Sequence, residues 1–174
     1  MRAFIALKIP EELKKKLVSV QEEIRKEFPS EIRFVEPENI HITLRFFDRI
    51  NDKNADDIKK AIASIEFEPF KAKSMGIGAF PNEKFIRVVW AGAESEGKLE
   101  SVVFQLDEKL AALGFKPEAF TSHITLGRVR KHIEFSKEIE KYRGRDFGDF
   151  TVSKENIVLK RSKITPEGPI YTDL

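Results

Sequence analysis

The chain has 174 residues with 31 Lys+Arg, 29 Asp+Glu, three His and no Cys. One domain with a sizeable core is expected from that length, and the missing cysteine excludes a disulfide scaffold, a thiolate zinc site and a Cys nucleophile. A net charge of +2 leaves no global field to pull the chain onto nucleic acid, so any anion must be met by a local cluster.

No apolar run approaches the ~20 residues that span a bilayer. The start Met1-Arg2-Ala3-Phe4-Ile5-Ala6-Leu7 is too short and too soon charged for a signal peptide. A soluble, cytoplasmic protein is the expectation, with no membrane partner and a monomeric state. Lys outnumbers Arg and Glu outnumbers Asp, a weak thermophile signature.

Residues 2–8 read as a strand. Pro10 opens a helix whose stripe is Leu13, Leu17, Val20, Ile24 and Phe28, at spacings of three and four. Glu11/Lys15, Glu12/Lys16 and Glu22/Lys26 occupy its solvated side at i,i+4. Strands at 32–35 and 40–47 flank a Glu36-Pro37-Glu38-Asn39 turn. A helix built on Ile58, Ile62 and Ile65 follows, then strands at 70–79 and 85–91 around Pro81-Asn82.

The longest amphipathic segment runs from about Ser95 to Leu113 and ends at Gly114, a C-capping residue. Beyond it come a strand at 121–129, a short helix at 136–143, and strands at 149–153 and 156–161. Pro166 and Pro169 bracket a last turn before Ile170-Tyr171, which reads as a return to the first sheet with Tyr171 a candidate cleft residue. Helices alternate with strands, yet strands also follow one another directly. The pattern is α+β with mainly antiparallel sheets. Gly76-Ile77-Gly78 lacks the third glycine and the helix of a dinucleotide fingerprint.

One tetrapeptide occurs twice. His41-Ile42-Thr43-Leu44 returns as His123-Ile124-Thr125-Leu126. The second copy has a chance probability of roughly one in two thousand from composition, so it reads as an internal repeat. Each copy looks like a strand entered from a polar turn. Two related lobes, one from each half of a single bilobal domain over 1–174, are expected to carry one copy each about a pseudo-twofold and to face a central cleft.

Strand alternation puts His41 and Thr43 on one face, and Ile40, Ile42, Leu44 and Phe46 on the other. His123 and Thr125 share a face in the same way. The aliphatic faces belong in a core; the His/Thr faces are left for the cleft. A lone His on a strand is more often structural, but two His-x-Thr pairs can converge. Imidazole accepts a proton and imidazolium donates one near neutral pH. Such a pair activates a nucleophile on one side of a phosphorus and protonates the leaving oxygen on the other, while Thr hydroxyls donate to phosphoryl oxygens. His-x-Thr is no zinc pattern, and no carboxylate sits beside either His on its own face, so neither metal nor cofactor is expected. Nor does any segment resemble a nucleophile elbow.

These motifs resemble the LigT-like two-histidine phosphoesterases, in particular the RNA 2',3'-cyclic phosphodiesterases formerly called 2'-5' RNA ligases. The resemblance covers nearly the whole chain: the start Met1–Ala6, the runs Val35–Leu44, Gly76–Asn82, Ile86–Gly92 and Ser122–Val129, and the end Ser162–Tyr171. It implies a bilobal α+β fold with helices outside and a V-shaped cleft between two antiparallel sheets. The implied reaction is hydrolysis of an RNA 2',3'-cyclic phosphate to a 2'-phosphomonoester, with 2'-5' ligation as a reverse capacity. The implied partners are RNA ends. His41 would be the general acid and His123 the general base, an assignment that two identical tetrapeptides do not themselves make. Thr43 and Thr125 would hold phosphoryl oxygens.

The family also carries an Arg five residues after the second motif His, here Arg128. Strict alternation turns Arg128 away from His123 unless a bulge or strand end near Gly127 brings it round. Arg45 has the correct parity to join His41 and Thr43 and competes as phosphate ligand. Phe46, Phe47 and Trp90 read as core, although a phenylalanine there could stack a base. Arg128–His132 and Lys160–Lys163 are basic clusters that could guide an RNA backbone, with His132 at the surface. A phosphodiesterase of small cyclic or 2'-5' nucleotides, or a non-catalytic RNA-binding module, are the alternatives.

Overall fold

The computed structural model describes residues 1–174 as nine strands, four α-helices and two short 3-10 turns. The strands are β1 (Arg2–Lys8), β2 (Ile32–Phe34), β3 (His41–Phe47), β4 (Phe70–Pro81), β5 (Ile86–Glu94), β6 (His123–Val129), β7 (Asp146–Val152), β8 (Ile157–Thr165) and β9 (Gly168–Asp173). The helices are α1 (Glu11–Glu27), α2 (Asp52–Ser64), α3 (Lys98–Ala112) and α4 (Ser136–Lys141).

Two antiparallel sheets result, in the orders β3-β1-β8-β9 and β2-β6-β5-β4-β7. The α+β reading therefore holds. The division of the chain differs from a halving at its midpoint: β2 joins the second sheet, whereas β8 and β9 return to the first. Each sheet is thus completed by strands from the other end of the sequence. Strands β3 and β6, which carry the two tetrapeptides, approach each other across the gap between the sheets.

Local chemistry explains the elements. Helix α1 starts at Pro10, has Glu11 and Glu12 in its first turn, and has Arg25 and Lys26 in its last, all in the sense its dipole favours. Its buried stripe is Leu13, Leu17, Val20 and Ile24, joined by one polar residue, Gln21. Helix α2 is closed by a reciprocal Asn51–Asn54 capping box, with bonds of 2.8 and 3.1 Å. At the head of α3 the Ser95 hydroxyl accepts from the Leu99 amide at 2.9 Å.

Strand β1 is apolar on both faces and lies between β3 and β8, so it is buried along Ala3–Leu7. Helices α1 and α4 pack towards β7 and β4 of the second sheet, and α2 towards α3 and β8 of the first. Forty buried apolar side chains form one continuous cluster. Strand β9 occupies a segment that the sequence predicts as a turn and a short return. Its turn with β8 arches towards β2, where the Arg33 guanidinium donates to the Glu167 carbonyl. No helix is long and apolar enough to cross a membrane.

Candidate active site

Both tetrapeptides place a register break at the same point. Along β1–β3, Ala6 pairs with Thr43 and Ile5 with Arg45, so Leu44 has no opposite partner. Along β5–β6, Trp90 pairs with Thr125 and Val89 with Gly127, so Leu126 has none. Each is a β-bulge, which inserts one residue and reverses the alternation beyond it. The burial pattern shows it directly: Ile42, Leu44 and Arg45 are buried on β3, and Ile124, Leu126 and Gly127 on β6.

The bulges decide which arginine enters the cleft. Before them, His41 and Thr43, and His123 and Thr125, share the cleft face as the alternation requires. After them, Phe46 and Arg128 rejoin that face. All six line one cleft of about 320 Å³ between the sheets, together with Phe4, Arg33, Phe34, Asn39 and Tyr171. That volume lies at the lower end of the range of small-molecule sites.

Arg45 is the correction. The Leu44 bulge carries it to the buried side, where its guanidinium donates to the Lys116 carbonyl and pairs with Asp107 at 3.5 Å and Glu118 at 3.8 Å. It is 6% exposed and ties β3 to α3 and to the segment after it, away from the cleft. Phe46 is the second correction, since it lines the cleft instead of filling the core. Phe47 is core, packed edge-on to Phe115 at 5.0 Å between ring centres. Trp90 is half-buried, on the face of β5 that His123 shares. Tyr171 faces the cleft, and His132 is exposed beside Glu134.

The two imidazoles are oriented alike. His41 Nδ1 lies 2.6 Å from the Asn39 carbonyl, and His123 Nδ1 lies 2.6 Å from the Thr121 carbonyl. A carbonyl only accepts, so Nδ1 carries the hydrogen in both rings and Nε2 is the basic nitrogen of the neutral form. Thr43 Oγ1 is 2.9 Å from His41 Nε2 and donates to it in that form. Each backbone carbonyl belongs to the residue two before its histidine, so the orientation is built into the entry to the strand.

Burial dominates the acid–base chemistry of both rings. Desolvation holds His41 down to about 4, opposed by the Asn39 carbonyl and aided by Lys160, Lys14 and His123. His123 is lowered for the same first reason, opposed by Thr121 and aided by Arg128. Near neutral pH the free enzyme therefore holds two uncharged imidazoles, with the Arg128 and Arg33 guanidiniums beside them.

Gln21 has a part that the sequence reading did not assign. It is 2% exposed, and its amide nitrogen donates to the Val35 carbonyl and the Leu126 carbonyl, both at 2.9 Å. The Val35 amide donates to the same Leu126 carbonyl at 2.9 Å. The carbonyl at the β6 bulge thus receives two donors, one of them from α1. The available signal was a lone polar residue within the apolar stripe, four after Leu17 and three before Ile24.

Paired imidazoles with basic Nε2 atoms, two threonine hydroxyls and a guanidinium therefore share one groove, the groups that acid–base chemistry on a phosphate ester requires. The model of the family described as "LigT like Phosphoesterase" matches residues 7–90 and 92–171, and the chain belongs to that family. It is 38% identical to an RNA 2',3'-cyclic phosphodiesterase of Archaeoglobus fulgidus, over 100% of this chain and 98% of that protein. It is 40% identical to one of Methanocaldococcus jannaschii, covering 98% and 96%. Among solved structures, TT0787 of Thermus thermophilus superposes with a TM-score of 0.84 at 29% identity, covering 100% of this chain and 95% of that one. E. coli LigT in complex with 3'-AMP shares the fold, with a TM-score of 0.77 at 22% identity over 99% and 94% of the two chains.

Proposed function

We propose that this phosphoesterase hydrolyses RNA 2',3'-cyclic phosphates to 2'-phosphomonoesters, with His41 and His123 as its acid–base pair. The observation that carries this reading is the convergence of both His-x-Thr pairs, with matched ring orientations, on one cleft that also holds Arg128. The names of the full-length relatives support the substrate class.

The cyclic phosphate enters as an anion. It is met by the Arg128 guanidinium and by hydroxyl donors from Thr43 and Thr125. Its charge favours protonation of a neighbouring imidazole, opposing the desolvation that keeps the free site neutral. Protonated His41 then has an Nε2–H to donate. Thr43 no longer needs to donate to that nitrogen, and its hydroxyl is released towards a phosphoryl oxygen.

His123 Nε2 removes a proton from water. The water oxygen bonds to phosphorus opposite O3', the P–O3' bond breaks, and His41 delivers its proton to O3'. The product carries a 2'-phosphate and a free 3'-hydroxyl. The cycle ends with His41 neutral and His123 protonated, and exchange with solvent restores the starting state. With an RNA 5'-hydroxyl in place of water, the same geometry forms a 2'-5' linkage. The direction of the acid–base assignment follows the family pattern.

The test is an RNA ending in a 2',3'-cyclic phosphate, incubated in EDTA, with the position of the product phosphate determined. Turnover to the 2'-phosphate is expected, and His41→Ala or His123→Ala should each lose roughly 10²–10⁴-fold, the usual worth of a positioned acid or base. Full activity in either variant overturns the reading.

A further inference from the structure

Each motif histidine has its own aromatic surroundings, and only one set belongs to the cleft already described. On the first sheet, His41 stacks on Phe4 at 4.9 Å and meets Tyr171 edge-on at 5.7 Å, with Phe46 parallel to Phe4 at 6.1 Å. On the second sheet, His123 meets Phe80 at 4.9 Å and Trp90 at 6.4 Å, and those two rings lie 5.1 Å apart.

The second group is built around the indole, with Phe80 tilted 33° to it and edge-on to His123. Trp90 pairs with Thr125 across β5–β6, and Gly92 pairs with His123, so the indole shares the face that carries the imidazole. Opposite Trp90 on β4 stands Gly78, and a Cβ there would overlap the six-membered ring of the indole. A Cβ on Gly92 would meet the Met75 carbonyl oxygen and only touch the indole, at 3.9 Å. Gly78 thus lets the indole lie down over the backbone of β4. Phe80 extends the aromatic group towards His123. Both rings are half-buried.

We propose that Trp90 and Phe80 form a stacking platform for a second nucleobase, on the His123 side of the phosphorus. The proposal rests on the phosphodiesterase reading above. There the nucleoside that carries the cyclic phosphate lies on the leaving-oxygen side, by His41 and its aromatic neighbours. The nucleophile stands by His123. Water needs no aromatic surface, whereas a nucleoside presenting its 5'-oxygen does. The matching substrate class is a phosphodiester with a nucleoside on each side, a 2'-5' dinucleotide unit. In its cleavage the 3'-hydroxyl loses its proton to one histidine and bonds to phosphorus. The P–O5' bond breaks and O5' takes a proton from the other, leaving a cyclic phosphate and a 5'-hydroxyl.

Trp90 is the single tryptophan of the chain, so its emission reports this platform alone. In His41→Ala protein, adenylyl-(2'→5')-adenosine should quench that emission and bind roughly tenfold tighter than adenosine 2'-phosphate, the worth of one base stacked on an aromatic ring. Adenosine 2'-phosphate should bind with little quenching. Trp90→Leu, and separately Gly78→Ala, which lifts the indole, should abolish the dinucleotide's advantage while adenosine 2'-phosphate binding persists. Equal affinities and equal quenching in the first experiment, or an undiminished advantage in folded Trp90→Leu protein, overturn the platform. Failure of wild-type protein to turn over cyclic-phosphate RNA in EDTA would instead overturn the phosphodiesterase reading, whatever the fluorescence does.

Discussion

Phe46 and Arg128 are counterparts: each stands five residues after its motif histidine, and each is returned to the cleft by a bulge at the motif's last leucine. The repeat therefore preserves backbone geometry while the residue delivered differs. One wall receives an aromatic ring, backed by the Arg2 guanidinium at 5.1 Å, and the other a bare cation. This asymmetry gives a nearly symmetric cleft a direction, with the guanidinium on β6 and the aromatic wall on β3.

Removing the two competing arginines should separate their roles. Arg128→Ala should cut kcat/KM by roughly 10²-fold, in line with loss of one preorganised donor to a phosphoryl oxygen, with unchanged Tm. Arg45→Met should leave kcat/KM near wild type and lower stability by about 1–3 kcal/mol, because Asp107 loses its buried partner and the Lys116 carbonyl its donor. Steady-state kinetics beside thermal melts read both. An inactive but fully stable Arg45→Met protein would contradict the placement of that side chain.

Gln21 should act through Arg128. Gln21→Leu preserves the volume of the stripe but removes both side-chain donors, leaving the Val35 carbonyl short of one and the bulge carbonyl with the Val35 amide alone. A stability loss of about 1–3 kcal/mol is expected, with a fall in kcat/KM beyond what the folded fraction explains. A double-mutant cycle decides the route. In an Arg128→Ala background, Gln21→Leu should still lower Tm but bring little further loss of activity. Full additivity in activity would mean that Gln21 serves the site by another path.

The sequence made the His-x-Thr faces legible because strand alternation is local and the two copies agree. It made α1, α2 and α3 legible through periodic Leu, Val and Ile. Arg45, Phe46 and Arg128 were not legible by alternation, since a bulge at Leu44 or Leu126 is a register event set by a neighbouring strand. Only the resemblance to a family favoured Arg128. Trp90 read as core because the residues on both sides of it are apolar. Its position over the sheet depends on Gly78, twelve residues away in sequence and opposite it in the sheet. The exchange of β2 and β8–β9 between the sheets is likewise a long-range pairing that no local pattern announces.

Thr43 should matter in two ways that a serine can satisfy. In the free enzyme its hydroxyl donates to His41 Nε2 at 2.9 Å, and in the proposed mechanism it turns to a phosphoryl oxygen once His41 is protonated. Thr43→Val keeps the β-branched shape and removes the hydroxyl, so a loss of roughly 10–10²-fold in kcat/KM is expected for one neutral donor to a developing charge. Thr43→Ser should recover most of it. Equal loss in both variants would assign the residue to packing alone.

The depressed histidines fix the pH behaviour. Both folded-state pKa values lie below the ordinary 6.5, His41 at about 4. The unfolded chain therefore binds more protons than the folded one between about 4 and 6.5, and this contribution to stability is complete above 6.5 and lost as pH falls through that window. Melts of wild type should show Tm declining there, with a shallower slope in His41→Gln protein. The rate follows from the same values. The profile of kcat/KM reports the free enzyme, which needs one neutral and one protonated imidazole, so its maximum should lie on the acid side of 6.5. The profile of kcat reports the complex, in which the bound phosphate anion favours the imidazolium and should carry the basic limb to higher pH. A kcat/KM maximum well above 6.5, or no displacement between the two profiles, would contradict acid–base chemistry by this desolvated pair.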